Sequence, residues 1–125
     1  MSIKEIAKSY LELLETDDID GVIALFSTNA IVHSPIYGMK KSSLFYKELA
    51  SDTQNSKLDL KGIFEDSELN QLAIYFNYEW TLKNGKQINF DVVDILVFDE
   101  HHKIRELRII YDTVVSRNAI SELKK

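Results

Sequence analysis

The segment from Ile88 to Phe98 contains the residue with the clearest chemical potential. Five of its six even-numbered positions are apolar, and the exception is Asp94. Because residues two apart in a strand share one face, the Asp94 carboxyl is expected to point where the large hydrophobic side chains point. Burial disfavours the charged form, so this carboxyl is predicted to be neutral or strongly hydrogen-bonded. Perturbed carboxyls in apolar pockets are candidates for functional groups.

Two interpretations of Asp94 stay open at this point. It is either a structural acid, satisfied by a backbone amide, a tyrosine hydroxyl or an arginine, or a functional acid that faces a ligand. A second polar group directed into the same space would favour the functional interpretation, and Tyr10 is the candidate. Tyr10 lies on the apolar face of a predicted helix, where its hydroxyl still needs a partner. Ordinary core packing is the alternative role for this tyrosine.

Other aromatic residues and histidines supply weaker signals. Core packing explains Phe76, whereas Tyr78 and Trp80, on the same strand face, could stack on a flat ligand near a pocket mouth. His101 and His102 are adjacent residues at a predicted hairpin tip, where their side chains diverge. We therefore predict no metal site. The four glycines are isolated, so no phosphate-cradling loop and no bound cofactor are expected.

Three N-terminal helices are predicted to precede the strands. Ser2 and Glu5 have capping-box spacing for the first helix. Asp17 and Asp18 can cap a second helix, and Ser42 is predicted to cap a third. Helices followed by a run of antiparallel strands are typical of an α+β fold, here a curved antiparallel sheet around an apolar pocket.

The other elements follow from periodicity and turn residues. Asn84-Gly85 predicts a hairpin with a type I′ turn, which requires positive φ at both positions. The other predicted segments are an extended piece over 30–34, a turn over 38–41, a loop over 51–56, strands over 57–65, 74–82, 86–98 and 103–112, a turn over 67–70, and a fraying polar tail from 117.

Length and composition set the class of protein. The 125 residues fit one domain spanning 1–125, with 45% hydrophobic and 28% charged residues and no cysteine, which excludes disulfides and thiolate metal sites. The net charge is −5 and the basic residues are scattered, which argues against a nucleic-acid partner. No secretion signal or membrane-spanning apolar run is recognised, so we expect a cytoplasmic protein with no membrane partner.

Several segments together resemble a known family. The run over 91–101, followed by Lys103-Ile104, is similar to the bacterial Δ5-3-ketosteroid isomerases, and more widely to the SnoaL-like, nuclear-transport-factor-2-like (NTF2-like) superfamily. The segments 10–14, 18–26 and 30–32, the last of them shortly before Pro35, agree with the same family. The resemblance implies a cone-shaped fold. Its implication for activity is weaker, because the fold hosts isomerases, dehydratases, epoxide hydrolases, polyketide cyclases and non-catalytic binders.

The family's site is matched only in part. Tyr10 and Asp94 fall on the two oxyanion-hole donors, the acid being kept protonated by apolar surroundings. The family's general base, an aspartate directly before the proline, is replaced by Ser34, which cannot abstract a carbon-bound proton at neutral pH. His33 is the alternative base, although neighbouring residues of an extended segment point to opposite faces. The family commonly has glycine where this chain has His102, which we interpret as variation in a turn with positive φ.

The resemblance and the strand patterns also suggest which residues contact a ligand: Val32, Phe45, Tyr78, Trp80, Val92, Leu96, Leu107 and Tyr111. Three functions stay open on this basis. The first is an isomerase or related enolisation enzyme acting on a small, flat, apolar carbonyl compound. The second is a non-catalytic ligand-binding module, and the third is a dimerisation module. Val93, Ile95 and Val97 make the opposite strand face apolar too, which predicts a homodimer through that face.

Overall fold

The helices and strands come from a computed structural model that describes residues 1–125. Four helices and six strands follow one another along the chain in a mixed order. They are α1 Ile3–Glu15, α2 Ile19–Ala24, β1 Phe26–Ser34, β2 Gly38–Lys41, α3 Ser42–Asp52, β3 Thr53–Asp66, β4 Gln71–Leu82, β5 Gln87–Phe98, β6 Ile104–Ile110 and α4 Val114–Leu123.

The first two helices begin where the sequence predicts. Ser2 and Glu5 form a reciprocal capping box at the start of α1, each side chain bonding the other residue's backbone N–H. The Asp18 carboxylate accepts a hydrogen bond from the Gly21 N–H at 2.9 Å and so caps α2. Asp17 instead has a φ of 61° and belongs to the turn between the helices.

The six strands form one sheet in the order β2-β1-β6-β5-β4-β3. Four of the five strand pairs are antiparallel, but β1 and β6 run parallel, with Val32 opposite Leu107. The α+β prediction is confirmed, with a sheet that is mostly antiparallel and contains one parallel pair. A parallel pair requires a long crossover, and the segment from β2 to β5 supplies it.

The inner face of the sheet carries the core. Along β4 and β5, even-numbered residues are buried or nearly so, as the period-two pattern predicts. The register aligns one inner row across four strands, comprising Val32, Leu107, Leu96 and Leu72. The next inner row contains Ile109, Asp94 and Ile74. The helices pack against this face and complete a single hydrophobic core.

Three local predictions differ from the structure because strand pairing and helix contacts extend the regular elements. The predicted turn over 38–41 is strand β2, paired antiparallel with β1. The predicted loop over 51–56 is divided between the end of α3 and the start of β3. Ser42 is the first residue of α3 and not its cap. The cap position is Lys41, which makes no side-chain capping bond.

The β4–β5 hairpin is confirmed but its turn type was wrong. Of the two residues Asn84 and Gly85, only Gly85 has positive φ, at 87°, so the turn is not type I′. The Gly85 N–H donates to the Leu82 carbonyl at 2.9 Å and the Leu82 N–H donates to Lys86 at 2.8 Å. This arrangement is a four-residue turn, from Leu82 to Gly85, whose last residue is a left-handed glycine. By contrast, His102 has the predicted positive φ, at 60°.

The predicted fraying tail is instead the helix α4. Its buried residues, Ser116, Ala119 and Ile120, recur at helical spacing, and Ala119 and Ile120 join the common core. Lys124, at its end, lies 2.8 Å from Asp52 of α3, so α4 lies on the helical side of the sheet. No helix of the structure is both long enough and apolar enough to span a bilayer.

Candidate functional site

A small cavity lies between the inner face of the sheet and helices α1 and α3. Its volume is about 40 Å³, enough for a few water molecules and an order of magnitude below a drug-sized ligand site. The lining is apolar and aromatic with few polar atoms, and comprises Tyr10, Leu14, Ser34, Tyr37, Phe45, Leu49, Phe76, Tyr78, Trp80, Phe90, Val92, Asp94, Ile109 and Tyr111.

Asp94 lies at the deep end of this cavity. Its residue exposure is 2%, and the next inner row of the sheet, containing Leu96 and Leu107, is fully buried beneath it. The Asp94 Oδ1 atom is buried without a hydrogen-bond partner. Burial raises the pKa of Asp94 from 3.8 to about 8, so the carboxyl is mainly neutral at pH 7. A protonated carboxyl in this position is an unused hydrogen-bond donor that faces the cavity.

Tyr10 shares the cavity with Asp94 and belongs to a buried tyrosine pair. The Tyr10 and Tyr46 hydroxyl oxygens are 2.6 Å apart, and both residues are almost completely buried. Burial raises the pKa of both phenols well above the ordinary value, and the nearby Asp94 contributes in the same direction. Both phenols are therefore protonated over the whole physiological range. The sequence interpretation missed Tyr46, although the spacing of Ser42, Phe45, Tyr46 and Leu49 matches one buried helix face.

The orientation of this pair follows from the partners available to each hydroxyl. Tyr46 has no hydrogen-bond partner except Tyr10, and it does not line the cavity. When the Tyr46 hydroxyl donates its proton to the Tyr10 oxygen, the Tyr10 proton is left to be donated to another acceptor. The cavity is where such an acceptor would lie. The arrangement can therefore present two donors, Tyr10 and Asp94, to one ligand oxygen.

Ser34, at the end of β1, lies at the cavity wall. The strand β6 separates it from Asp94 in β5, and Ile109 of β6 is opposite Asp94. The Ser34 hydroxyl oxygen accepts hydrogen bonds from the Ile36 and Tyr37 backbone N–H groups, at 3.2 and 3.1 Å. It therefore stabilises the turn that follows β1, and only its O–H remains for a ligand.

His33 does not reach the cavity. Its Nε2 atom is 2.9 Å from the Glu106 carboxylate, and neither residue is in the lining. Strand alternation places the two neighbours Ser34 and His33 on opposite faces, as the sequence indicated. With His33 directed away, Asp94 is the only carboxyl or imidazole group in the lining.

The predicted ligand contacts fall into two sets. Those that line the cavity are Phe45, Tyr78, Trp80, Val92 and Tyr111. Val32, Leu96 and Leu107 do not, because they form the fully buried row below Asp94. No group of three histidine, cysteine or acidic side chains converges as a metal site would require.

The polar atoms of Tyr78 and Trp80 are bonded to residues outside the cavity lining. The Tyr78 hydroxyl lies 2.9 Å from the Ser56 hydroxyl, and the Trp80 indole N–H donates to the Thr53 hydroxyl at 2.8 Å. The rings themselves stack, with centroids 5.9 Å apart. Tyr111 stacks on Phe90 at 4.5 Å, and burial raises the pKa of Tyr111 to about 12. The cavity therefore offers flat apolar walls around the two donors.

Comparison with known proteins supports the fold. No protein-family model matches the chain. The structure resembles an NTF2-like protein of unknown function from Burkholderia pseudomallei K96243, with a TM-score of 0.81, 13% identity, and coverage of 94% of this chain and 96% of that one. It also resembles SalBIII, an epoxide hydrolase/cyclase-like enzyme in pyran ring formation in the polyether salinomycin, with a TM-score of 0.77, 16% identity, and coverage of 88% and 90%. The chain therefore has the NTF2-like α+β fold.

The third comparison agrees with these two. PrhC from Penicillium brasilianum NBRC 6234 has a TM-score of 0.82 and 13% identity, with coverage of 98% of this chain and 88% of that one. At such identities the likeness establishes the architecture, and function must be argued from the cavity itself.

Asp94 should make the stability of the protein depend on pH. Between pH 3.8 and about 8 the unfolded state releases the Asp94 proton while the folded state retains it. The free energy of unfolding should therefore fall as pH rises, by up to about 1.4 kcal/mol per pH unit, and level off above about 8. Asp94→Asn keeps the shape without the titration. The difference between this variant and wild type, measured by urea unfolding from pH 5 to 9, should grow in favour of the variant.

Asp91→Asn is the matched control, because Asp91 is an exposed acid on the opposite face of β5. It should show no comparable slope relative to wild type. A pH-independent difference between Asp94→Asn and wild type would contradict the burial of a neutral carboxyl.

Proposed function

We propose that this protein binds a small, flat, mostly apolar carbonyl compound and stabilises its enolate form, as an isomerase or related enolisation enzyme would. The observation that carries the proposal is the buried Asp94 carboxyl, whose Oδ1 has no partner and which shares an apolar cavity with Tyr10. A neutral acid and a phenol both donate hydrogen bonds to an oxygen that gains negative charge. In an apolar cavity of low dielectric constant such bonds are stronger than in water.

The ligand oxygen would bind at the deep end of the cavity. Asp94 lies there, and the aromatic rings of Tyr78, Trp80 and Phe90 form the walls closer to the ends of their strands. A ligand with one carbonyl and an otherwise apolar ring would place its oxygen by Asp94 and its ring between these aromatics. The fold of SalBIII, an epoxide hydrolase/cyclase-like enzyme, shows that this architecture accommodates small-molecule chemistry.

The lining contains no second acid that could serve as the base of an enolisation. An enolisation removes a proton from the carbon next to the carbonyl, and a base must accept it. Ser34 lacks the necessary basicity, and His33 is bonded to Glu106 away from the cavity. In the enzyme proposal, the base is therefore a bound water or a group of the substrate itself.

A non-catalytic binding module is the second candidate function, and Ser34 is the observation that favours it. Its hydroxyl oxygen is engaged by two backbone N–H groups and holds a turn. A cavity with two donors and no base would bind a carbonyl compound, or a phenol that resembles its enolate, without turnover. Turnover separates the two candidates, since both predict binding.

Binding and catalysis should both depend on the two donors. A panel of enolisable cyclic ketones, a 3-oxo-Δ5-steroid and substituted phenols would be assayed by thermal shift and for turnover. Tyr10→Phe or Asp94→Ala should weaken binding or slow turnover by 10- to 100-fold, because each hydrogen bond to a charged oxygen contributes about 1.5–3 kcal/mol. Tyr46→Phe should have a smaller effect, since Tyr46 acts through Tyr10. Ligand responses that are equal in wild type and Asp94→Ala would contradict the proposed site.

Replacing Ser34 by aspartate tests whether only the base is missing. In Ser34→Asp the carboxylate would meet the same two N–H groups that Ser34 now bonds, which favour its ionised form. Isomerisation of the steroid ketone should rise at least about 100-fold above wild type, the lower end of the usual contribution of a positioned base. Ser34→Asn, which has the same shape and no basicity, is the control. Equal rates for the two variants would show that the cavity differs from an isomerase site in more than this residue.

The homodimer also remains a proposal, and the outer face of the sheet supports it. Tyr75, Val93 and Ile110 lie side by side across three strands on that face. Ile110 is 49% exposed, and Phe64 on the same face is 62% exposed. A second copy related by a two-fold axis would cover this surface. Sedimentation velocity at micromolar concentration should detect a dimer that Ile110→Glu dissociates. A wild-type monomer would rule it out.

A further inference from the structure

The cavity is too small for the ligand class that the proposed function requires, and the following inference rests on that function. With about 40 Å³ of free volume, the cavity has no room for even a single aromatic ring, for which about 150 Å³ is known to suffice. Part of the wall must therefore move before a ligand can bind. The walls formed by β4, β5 and β6 are central in the sheet and held by ladder hydrogen bonds on both sides. The movable part must lie on the helical side.

The helix α4 spans the two sides of the cavity. It begins three residues after Tyr111, which lines the cavity at the end of β6. At its other end, Lys124 meets the last residue of α3, Asp52. Ten helical residues, which extend about 15 Å, lie between these two contacts along the chain. None of the α4 residues lines the cavity, so the helix can act on it only through the residues that its two ends contact.

Polar contacts hold both ends of α4. Asp52 is only 5% exposed and accepts hydrogen bonds from the Tyr37 hydroxyl at 2.6 Å and from Lys124 Nζ at 2.8 Å. Lys124 also lies 3.6 Å from Glu48. Near the first turn, the Arg117 guanidinium donates to the Pro35 carbonyl at 3.2 Å. These contacts attach α4 to the Pro35–Tyr37 turn, whose Tyr37 ring forms part of the cavity wall.

The apolar attachment of α4 is weak by comparison. Only two of its apolar residues, Ala119 and Ile120, are buried and Leu123 is partly buried, whereas α1 buries six residues, four of them leucine or isoleucine and one of them Tyr10. Val114 and Val115 are 66% and 58% exposed. Segments with few buried apolar contacts open at a small fraction of the global unfolding free energy. The polar contacts therefore decide whether α4 is closed.

We propose that α4 is a lid over the ligand cavity and that the Lys124–Asp52 ion pair is its latch. Breaking the pair frees the end of α4 and leaves Tyr37 with a carboxylate that is open to water. The Pro35–Tyr37 turn then moves away from the cavity wall, and ligand reaches Tyr10 and Asp94 between Tyr37 and Tyr111. Closing restores the apolar surroundings of Asp94.

Trp80 reports the opening directly. It is the only tryptophan of the chain, it lines the cavity, and it is 2% exposed. Acrylamide, a small neutral molecule, should quench Trp80 fluorescence only when the lid is open. Lys124→Met removes the latch and keeps most of the side-chain length. It should raise the quenching constant roughly three- to tenfold, the range expected for a partly buried ion pair. Lys125→Met removes the neighbouring charge and should leave quenching unchanged.

Two further measurements complete the experiment. Added salt should raise quenching in wild type but not in Lys124→Met, because screening weakens the ion pair and acrylamide carries no charge. Urea unfolding of each variant shows whether global stability has changed. Equal quenching of Trp80 in wild type and Lys124→Met, or an increase that merely follows global unfolding, would overturn the lid. If Lys124→Met raises quenching but no carbonyl compound or phenol binds, the lid is supported and the proposed function is rejected.

Discussion

Removing the Asp94 carboxyl from water costs free energy that no hydrogen bond to its Oδ1 recovers. The molecule lowers this cost by keeping the carboxyl protonated, which burial alone achieves. The residues around Asp94 are consistent with a protonated carboxyl. There is no basic side chain in the lining, and the row beneath Asp94 is made only of aliphatic side chains. A lysine or arginine in this place would ionise the acid and turn a donor into an acceptor.

The tyrosine pair extends the same constraint into the helices. Tyr10 and Tyr46 come from α1 and α3, so the 2.6 Å contact between them fixes the relative position of two helices that flank the cavity. Phe26 packs against both rings. Because each hydroxyl has the other as its main partner, the pair tolerates little displacement before a buried polar group loses its bond. The donor side of the cavity is therefore rigid, whereas the side bounded by Tyr37 and Tyr111 rests on a turn and on α4.

The sequence was sufficient for the parts of this architecture that depend on local periodicity. The alternation along β5 placed Asp94 on the inner face, and the capping box placed the start of α1. The positive φ of His102 followed instead from the family resemblance, which has glycine at that position. It was insufficient where a distant segment decides the outcome. The strand β2 exists because β1 pairs with it, and the parallel arrangement of β1 and β6 has no local signature. Tyr46 carries no mark that distinguishes it from a packing residue until Tyr10 is next to it. The helix α4 was missed because its buried stripe consists largely of small residues, Ser116 and Ala119 among them.

The parallel pairing of β1 and β6 also has a kinetic meaning. Val32 and Leu107 face each other across that pair although they are 75 positions apart in the chain. Closing a loop of this length is entropically costly, and contacts of high sequence separation slow folding. The β3–β4–β5 meander can assemble from neighbouring segments, but β1 has no place in the sheet until β6 has joined it. The cavity is thus completed late in folding. Until then, the apolar strand around Val32 in the nascent chain lacks its β6 partner.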